Sequence, residues 1–179
     1  MVQKSGGCGS SVGSSFSCWM LMQRGRGNAV VMLTIAGAVS FVHYVRAHAP
    51  QPTLVAVAPF DIFVPGLEQW RVRLAHDLTA RLDSTPPLTA VSQDVVRERW
   101  RGQKQPEIAA LDLARRTSAG IAVYGRLDPS ASNDSVLVRM MVIDAGTGRV
   151  LSVMNAPWPR QRLPDLASPL AQHVRQNYR

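Results

Sequence analysis

Cysteine is nearly missing from this 179-residue chain: Cys8 and Cys18 are the only two, and both lie in a leader rich in glycine and serine. No disulfide can therefore brace the remainder. The pair is widely spaced with no histidine near it in sequence, which argues against a zinc site. Acidic residues are missing from the start of the chain: all 12 lie at or after Asp61, while Lys4, Arg24, Arg26 and Arg46 precede it. Chemical motifs are missing too. There is no P-loop, G-x-G-x-x-G, H-E-x-x-H or EF-hand pattern, so neither a phosphate cradle nor a metal site is indicated, and no cofactor is expected. Gly9-Ser10-Ser11-Val12-Gly13 matches G-x-S-x-G in letters only, because a nucleophile elbow needs a strand before it and a helix after it.

The acidic residues that are present fall mostly at helix starts, on polar helix faces and in turns, where capping and solvation account for them. Asp61 stands apart because it follows directly on a strand end, the place where open α/β sheets hold ligands. His76 and Asp77 are neighbours on one helix and point about 100° apart, so they make no catalytic dyad. His173 belongs to a short terminal helix and is expected to be exposed. No catalytic residue is assigned, and an enzyme is not expected.

Charge narrows the partners. The net charge is +8, but the part after Pro50 holds 16 basic against 12 acidic residues. Nucleic-acid binding needs a clustered basic face. Arg97, Arg99, Arg101 and Lys104 come nearest, yet Glu98 interrupts them, and no nucleic acid is expected. Anionic lipid headgroups beside a membrane anchor are another possible partner. Arg99, Trp100 and Arg101 are the candidate partner surface, since tryptophan and arginine dominate interface hot spots.

Residues 1–28 lack hydrophobic periodicity and read as a flexible cytoplasmic leader. Residues 29–45, AVVMLTIAGAVSFVHYV, are uncharged and mostly apolar. As a helix they reach about 25 Å, the lower limit for a bilayer core. Arg24 and Arg26 before them fit a cytoplasmic amino end, and His43 and Tyr44 fit an interface. The expectation is one transmembrane helix. A signal peptide cleaved at Ala49 is the alternative, disfavoured by Pro50, and a buried helix is a third reading. The first two readings put the rest of the chain outside the cytoplasm. Residues 46–52 are a proline-marked linker, and 53–179 form the folded domain.

Within that domain Leu54–Phe60 is a continuous apolar run, as in a strand covered on both faces. Leu67, Leu74, Leu78 and Leu82 trace one face of a helix, with Asp77 and Arg81 as an i,i+4 pair. Leu88–Ser92 reads as a second strand, Gln93–Trp100 as a short helix and Glu107–Thr117 as a better one. Ile121–Leu127 reads as a third strand. Ser135–Met154 is the clearest stretch: two alternating apolar strands around the turn Asp144-Ala145-Gly146-Thr147-Gly148. Pro157-Trp158-Pro159 closes the strand region and Pro169–Asn177 is a terminal helix. The order β-α-β-α-β-β-β-α implies an α/β (α+β) fold. Its mixed sheet has about five strands with helices packed on it, parallel where helices intervene and antiparallel in the final meander.

"VAVAPF", "LTAVS", "ALDLARRTSAGIAVYGRL" and "VLVRMMVIDAGTGRVL" in this order resemble the TolB amino-terminal-like domain over about Leu54–Met154. That group is related in fold to FlgO-type and CsgG-type envelope proteins and to penicillin-binding-protein activator lipoproteins. The resemblance implies a non-catalytic, membrane-anchored bacterial envelope domain whose partner is another envelope protein. Its place is the inner membrane, with the carboxy-terminal domain periplasmic. The alternative is a ligand-sensing extracytoplasmic module without a cytoplasmic output domain. Pro65-Gly66 replaces the longer polar loop usual after the first strand, so a partner contact made by that loop does not carry over from the resemblance.

Overall fold

A computed structural model describes residues 50–102 and 105–178. The leader and the apolar segment 29–45 lie outside the described residues. Among the described residues no helix is long and apolar enough to cross a membrane.

The order is β1 (Gln51–Val57), β2 (Asp61–Ile62), α1 (Trp70–Asp83), β3 (Thr89–Ala90), α2 (Gln93–Arg99), α3 (Pro106–Arg116), β4 (Ala119–Pro129), β5 (Ser135–Asp144) and β6 (Val150–Pro159). A 3-10 turn at Arg160–Asp165 and α4 (Ala167–Asn177) follow. The strands lie in the order β3-β1-β4-β5-β6, and β2 pairs with β4 beyond the end of β1. β1 is parallel to β3 and β4, whereas β4, β5 and β6 are antiparallel. The mixed sheet and its final meander are therefore as expected. The strand number is six rather than about five.

The element order also differs. β2 escaped notice because two residues carry no periodicity; β4 offers it free edge positions at Arg126 and Leu127. The two helices read at Gln93–Trp100 and Glu107–Thr117 are both present and together fill the crossover between β3 and β4, where the condensed order counts one. Pro157-Trp158-Pro159 closes the strand region from inside the last strand: Pro157 and Pro159 pair opposite Leu137 and Ser135, and β6 ends at Pro159. An edge strand tolerates proline because half of its N–H groups face away from the ladder.

Packing follows from alternation. On one side of the sheet Val55, Val57, Ile121, Val123, Val138, Met140 and Val142 meet Leu74, Leu78 and Leu82 of α1 and Leu170 and Val174 of α4. Fully burying each such leucine is worth about 1.5–3 kcal/mol. On the other side Ala56, Ala58, Ala122 and Tyr124 meet Val96 of α2 and Ala110, Leu113 and Ala114 of α3. Small residues on β1 and β4 let these two helices lie close.

Two local expectations are corrected. Asp77 pairs with Arg73 at 3.9 Å rather than with Arg81. The Arg81 carbonyl instead accepts from the Arg175 guanidinium of α4. His173 is half-buried, and its Nε2 is buried without a protein hydrogen-bond partner, because α4 lies flat on the sheet.

Candidate functional site

The helices α2 and α3 cover only the β1 and β4 half of their side. Among the described residues no helix covers the β5 and β6 half. Strand register sets what shares this face: Tyr124 opposes Met141, Arg126 opposes Arg139, Asp128 opposes Leu137, and Met141 and Arg139 oppose Val153 and Asn155 in turn. Val153 is 58% exposed. At the seam with α3 a concavity of about 200 Å³ is lined by Glu107, Tyr124, Arg126, Arg139, Met141, Val153 and Asn155.

Charge on this face is organised around one buried carboxylate. Asp128 is only 8% exposed. Arg126 donates to it through Nε at 3.0 and 2.8 Å and through Nη2 at 2.7 Å. Arg139 Nε reaches its other side at 3.2 Å. The hydrogen bonds to Asp128 hold the Arg126 guanidinium more firmly protonated than an ordinary arginine. The group as a whole keeps one positive charge. Arg126 also lies over the Phe63 ring, 5.1 Å from its centroid, and Phe63 is itself exposed. A cation over a ring is worth about 0.5–1 kcal/mol at such a site.

Beside this group Tyr124 donates its hydroxyl to Asp61 Oδ2 at 3.0 Å. Arg71 Nη2 stands 3.6 Å from the other carboxylate oxygen. Burial, and then the hydrogen bond to Asp61, push the Tyr124 phenol above its ordinary value. The prominent strand-end aspartate of the sequence is thus a latch between β2 and β4.

The residues singled out from the sequence are elsewhere. Trp100 is half-buried and packs on the cluster beneath α2 and α3, while Arg99 and Arg101 beside it are exposed. Arg99 donates to the Arg116 carbonyl at the end of α3, and Arg101 Nη1 to the carbonyls of Glu98 at 3.0 Å and Trp100 at 3.1 Å. His76 Nδ1 comes within 3.6 Å of Asp77 Oδ1, but on open surface and with no third group in line. Among the described residues no group of three or more His, Cys, Asp or Glu side chains could hold a metal ion. The Arg126–Asp128–Arg139 group is not among the residues that the sequence points to. Its one sequence signal is the Arg-x-Asp step at period 2 near the end of β4.

Sheet and face together define a class: an α/β domain with helices over one side of a mixed sheet and half of the other, leaving an arginine-bearing antiparallel remainder open. No family model and no curated protein matches the chain. Solved structures do match it. TolB from Acinetobacter baumannii superposes with a TM-score of 0.50 at 18% identity, over 73% of this chain and 29% of TolB. Lipoprotein GNA1162 from Neisseria meningitidis gives 0.51 at 15% identity, over 69% of this chain and 97% of that one. A looser superposition, TM-score 0.45 at 13% identity, is with the LpoB carboxy-terminal domain from Salmonella enterica, over 63% of this chain and 86% of that one. At these identities the likeness is one of fold, and it agrees with the TolB-like architecture expected from the sequence.

Proposed function

We propose that this is a non-catalytic module of the bacterial cell envelope that binds another protein through its open β4-β5-β6 face. The observation that carries this reading is the Arg126–Asp128–Arg139 group, held half-exposed between Phe63 on one flank and Met141 and Val153 on the other. Anchored arginines beside apolar surface are what interface hot spots are made of. The shared fold with TolB and lipoprotein GNA1162 supports the envelope setting, and kinship to FlgO-type and CsgG-type domains belongs to the same reading. Residues 29–45 are the proposed single-pass anchor in the inner membrane, with the domain periplasmic; secretion after cleavage at Ala49 is the alternative.

A ligand-sensing module is the second reading, and the concavity beside Glu107 is the observation in its favour. At about 200 Å³ it falls below the roughly 300–1,000 Å³ of usual small-molecule sites, which favours a protein partner.

Two experiments test the proposal. A photo-crosslinking residue at Val153 or Asn155 is expected to capture a discrete envelope protein in cells, and Arg139→Ala to reduce that capture about tenfold or more, the scale of one hot-spot residue. Capture that Arg139→Ala leaves unchanged would remove this face from the proposal. Alkaline phosphatase fused after Arg179 is expected to be active at uncleaved size; an intact but inactive fusion would place the domain in the cytoplasm.

A further inference from the structure

One end of the sheet gathers the start of β1, the start of β4 and the β5–β6 turn. Gln51 N donates to the Ser118 carbonyl at 2.8 Å, and Ala145 N to the Gly120 carbonyl at 2.9 Å. The chain enters the described region here, at Pro50, and Tyr178 after α4 closes the same end beside Pro50 and Leu151. Because β1, β3 and β4 run parallel, the helices between them carry the chain back to this end and finish here as well. α3 runs straight into β4, the end of α2 is tied to it by the Arg99 bond to the Arg116 carbonyl, and the Arg175 bond to the Arg81 carbonyl joins α4 to α1.

The consequence is electrostatic. Arg99, Arg101, Arg115, Arg116 and Arg149 are all exposed at this end, and Arg175 stands behind them. Of the carboxylates at this end, Asp112 is committed to Arg116 at 2.7 Å, Asp83 to the Ala90 amide, and Asp144 to the Gly146 and Thr147 amides, while Glu98, exposed beside Arg99, offsets one of the arginines. Arg99, Arg101, Arg115 and Arg149 have no carboxylate partner among the described residues. Arginines in the last turns of helices are explained by the helix dipole. That account does not reach Arg101, in a loop, or Arg149, in a hairpin turn. At the opposite end acidic and basic residues balance: Asp61 lies against Arg71 and Asp165 against Arg162, with Glu68, Asp134 and Arg160 nearby.

We infer that this basic end docks on an anionic phospholipid surface. The occupant is set by where the end sits in the chain: Pro50 follows the apolar run 29–45 by five residues, a linker that spans at most about 17 Å. A bilayer crossed by that run is the nearest large anionic surface to these arginines, each worth roughly a fivefold gain in affinity near such a surface. Arg99, Trp100 and Arg101 then form a lipid contact rather than a protein contact. The choice of a bilayer as occupant rests on the proposed anchor; the arrangement of the basic end does not.

The test uses the full chain with Cys8→Ser, Cys18→Ser and a fluorescent label on Thr147→Cys. It is mixed with phosphatidylcholine vesicles, or with vesicles of which about a third is phosphatidylglycerol, both bearing a headgroup quencher. The label is expected to be quenched on the anionic vesicles and released by high salt. The Arg101→Gln, Arg115→Gln, Arg149→Gln variant is expected to lower the docking equilibrium about a hundredfold, and lysine at the same positions to restore it. Equal quenching on both vesicles, or quenching unchanged in the glutamine variant, would overturn the inference. So would tighter binding of a DNA oligonucleotide that displaces the vesicles. Flotation with phosphatidylcholine alone reports the anchor separately: a chain that floats only with anionic vesicles refutes the tether and supports the basic end.

Discussion

Asp128 and Tyr124 are the two residues whose substitution reports most directly on the open face. Asp128→Ala removes the acceptor shared by Arg126 and Arg139 and leaves two guanidinium groups repelling across the β4–β5 pair. Both arginines reach water, so the cost is expected at about 1–2 kcal/mol, below the 3–5 of a fully buried pair; urea unfolding measures it. Tyr124 carries a pH dependence. Its phenol is raised above the unfolded value, so the folded chain keeps its proton longer than the unfolded one. The associated stability is present below about pH 10 and is lost as pH climbs above that value. In Tyr124→Phe this alkaline loss is expected to vanish, while about 1 kcal/mol goes at neutral pH with the hydrogen bond to Asp61. Melts of both proteins from neutral to alkaline pH decide it.

Among the elements, β4 is the one on which everything else converges, and Gly125 shows how tightly. A Cβ there would sit inside the van der Waals envelope of the Phe60 ring, and Phe60 is fully buried with nowhere to move. Gly125→Ala is expected to cost about 1–3 kcal/mol by overpacking, measured as a lower urea midpoint. The same strand shows what could be read in advance. The apolar run Ile121–Leu127 and the alternation in Val136–Ile143 mark two strands, and the Asp144–Gly148 turn pairs the second of them with β6. Alternation says that Arg126 and Asp128 share a face, but not which face the helices leave uncovered. That depends on where α3 comes to rest, decided by Ala56, Ala122 and Ala110 meeting across the layers. Trp100 is a related case: it is half-buried against that layer and half open to solvent, a division that its place in the sequence does not show.

At the scale of the whole molecule, the two ends differ in charge and the two sides differ in cover. Neither contrast is visible along the chain, because Arg101, Arg115 and Arg149 come from a loop, a helix end and a hairpin turn. The proposed anchor makes a further prediction: changing both Arg24 and Arg26 to glutamate removes the positive-inside signal. Phosphatase activity of the fusion is then expected to fall by half or more, while a fusion whose activity is unchanged would mean that those arginines do not orient the chain.

The position of β1 between β3 and β4 has a consequence in time. Leu54–Ala58 is the first strand made, yet its pairing residues Ala90 and Ala122 lie far downstream. While the chain is being synthesised, the most continuously apolar strand of the sheet waits unpaired. The meander β4-β5-β6, by contrast, closes from neighbouring segments almost as soon as it emerges. Failures of biogenesis should therefore start at β1, before any contact of the finished surface exists to be lost.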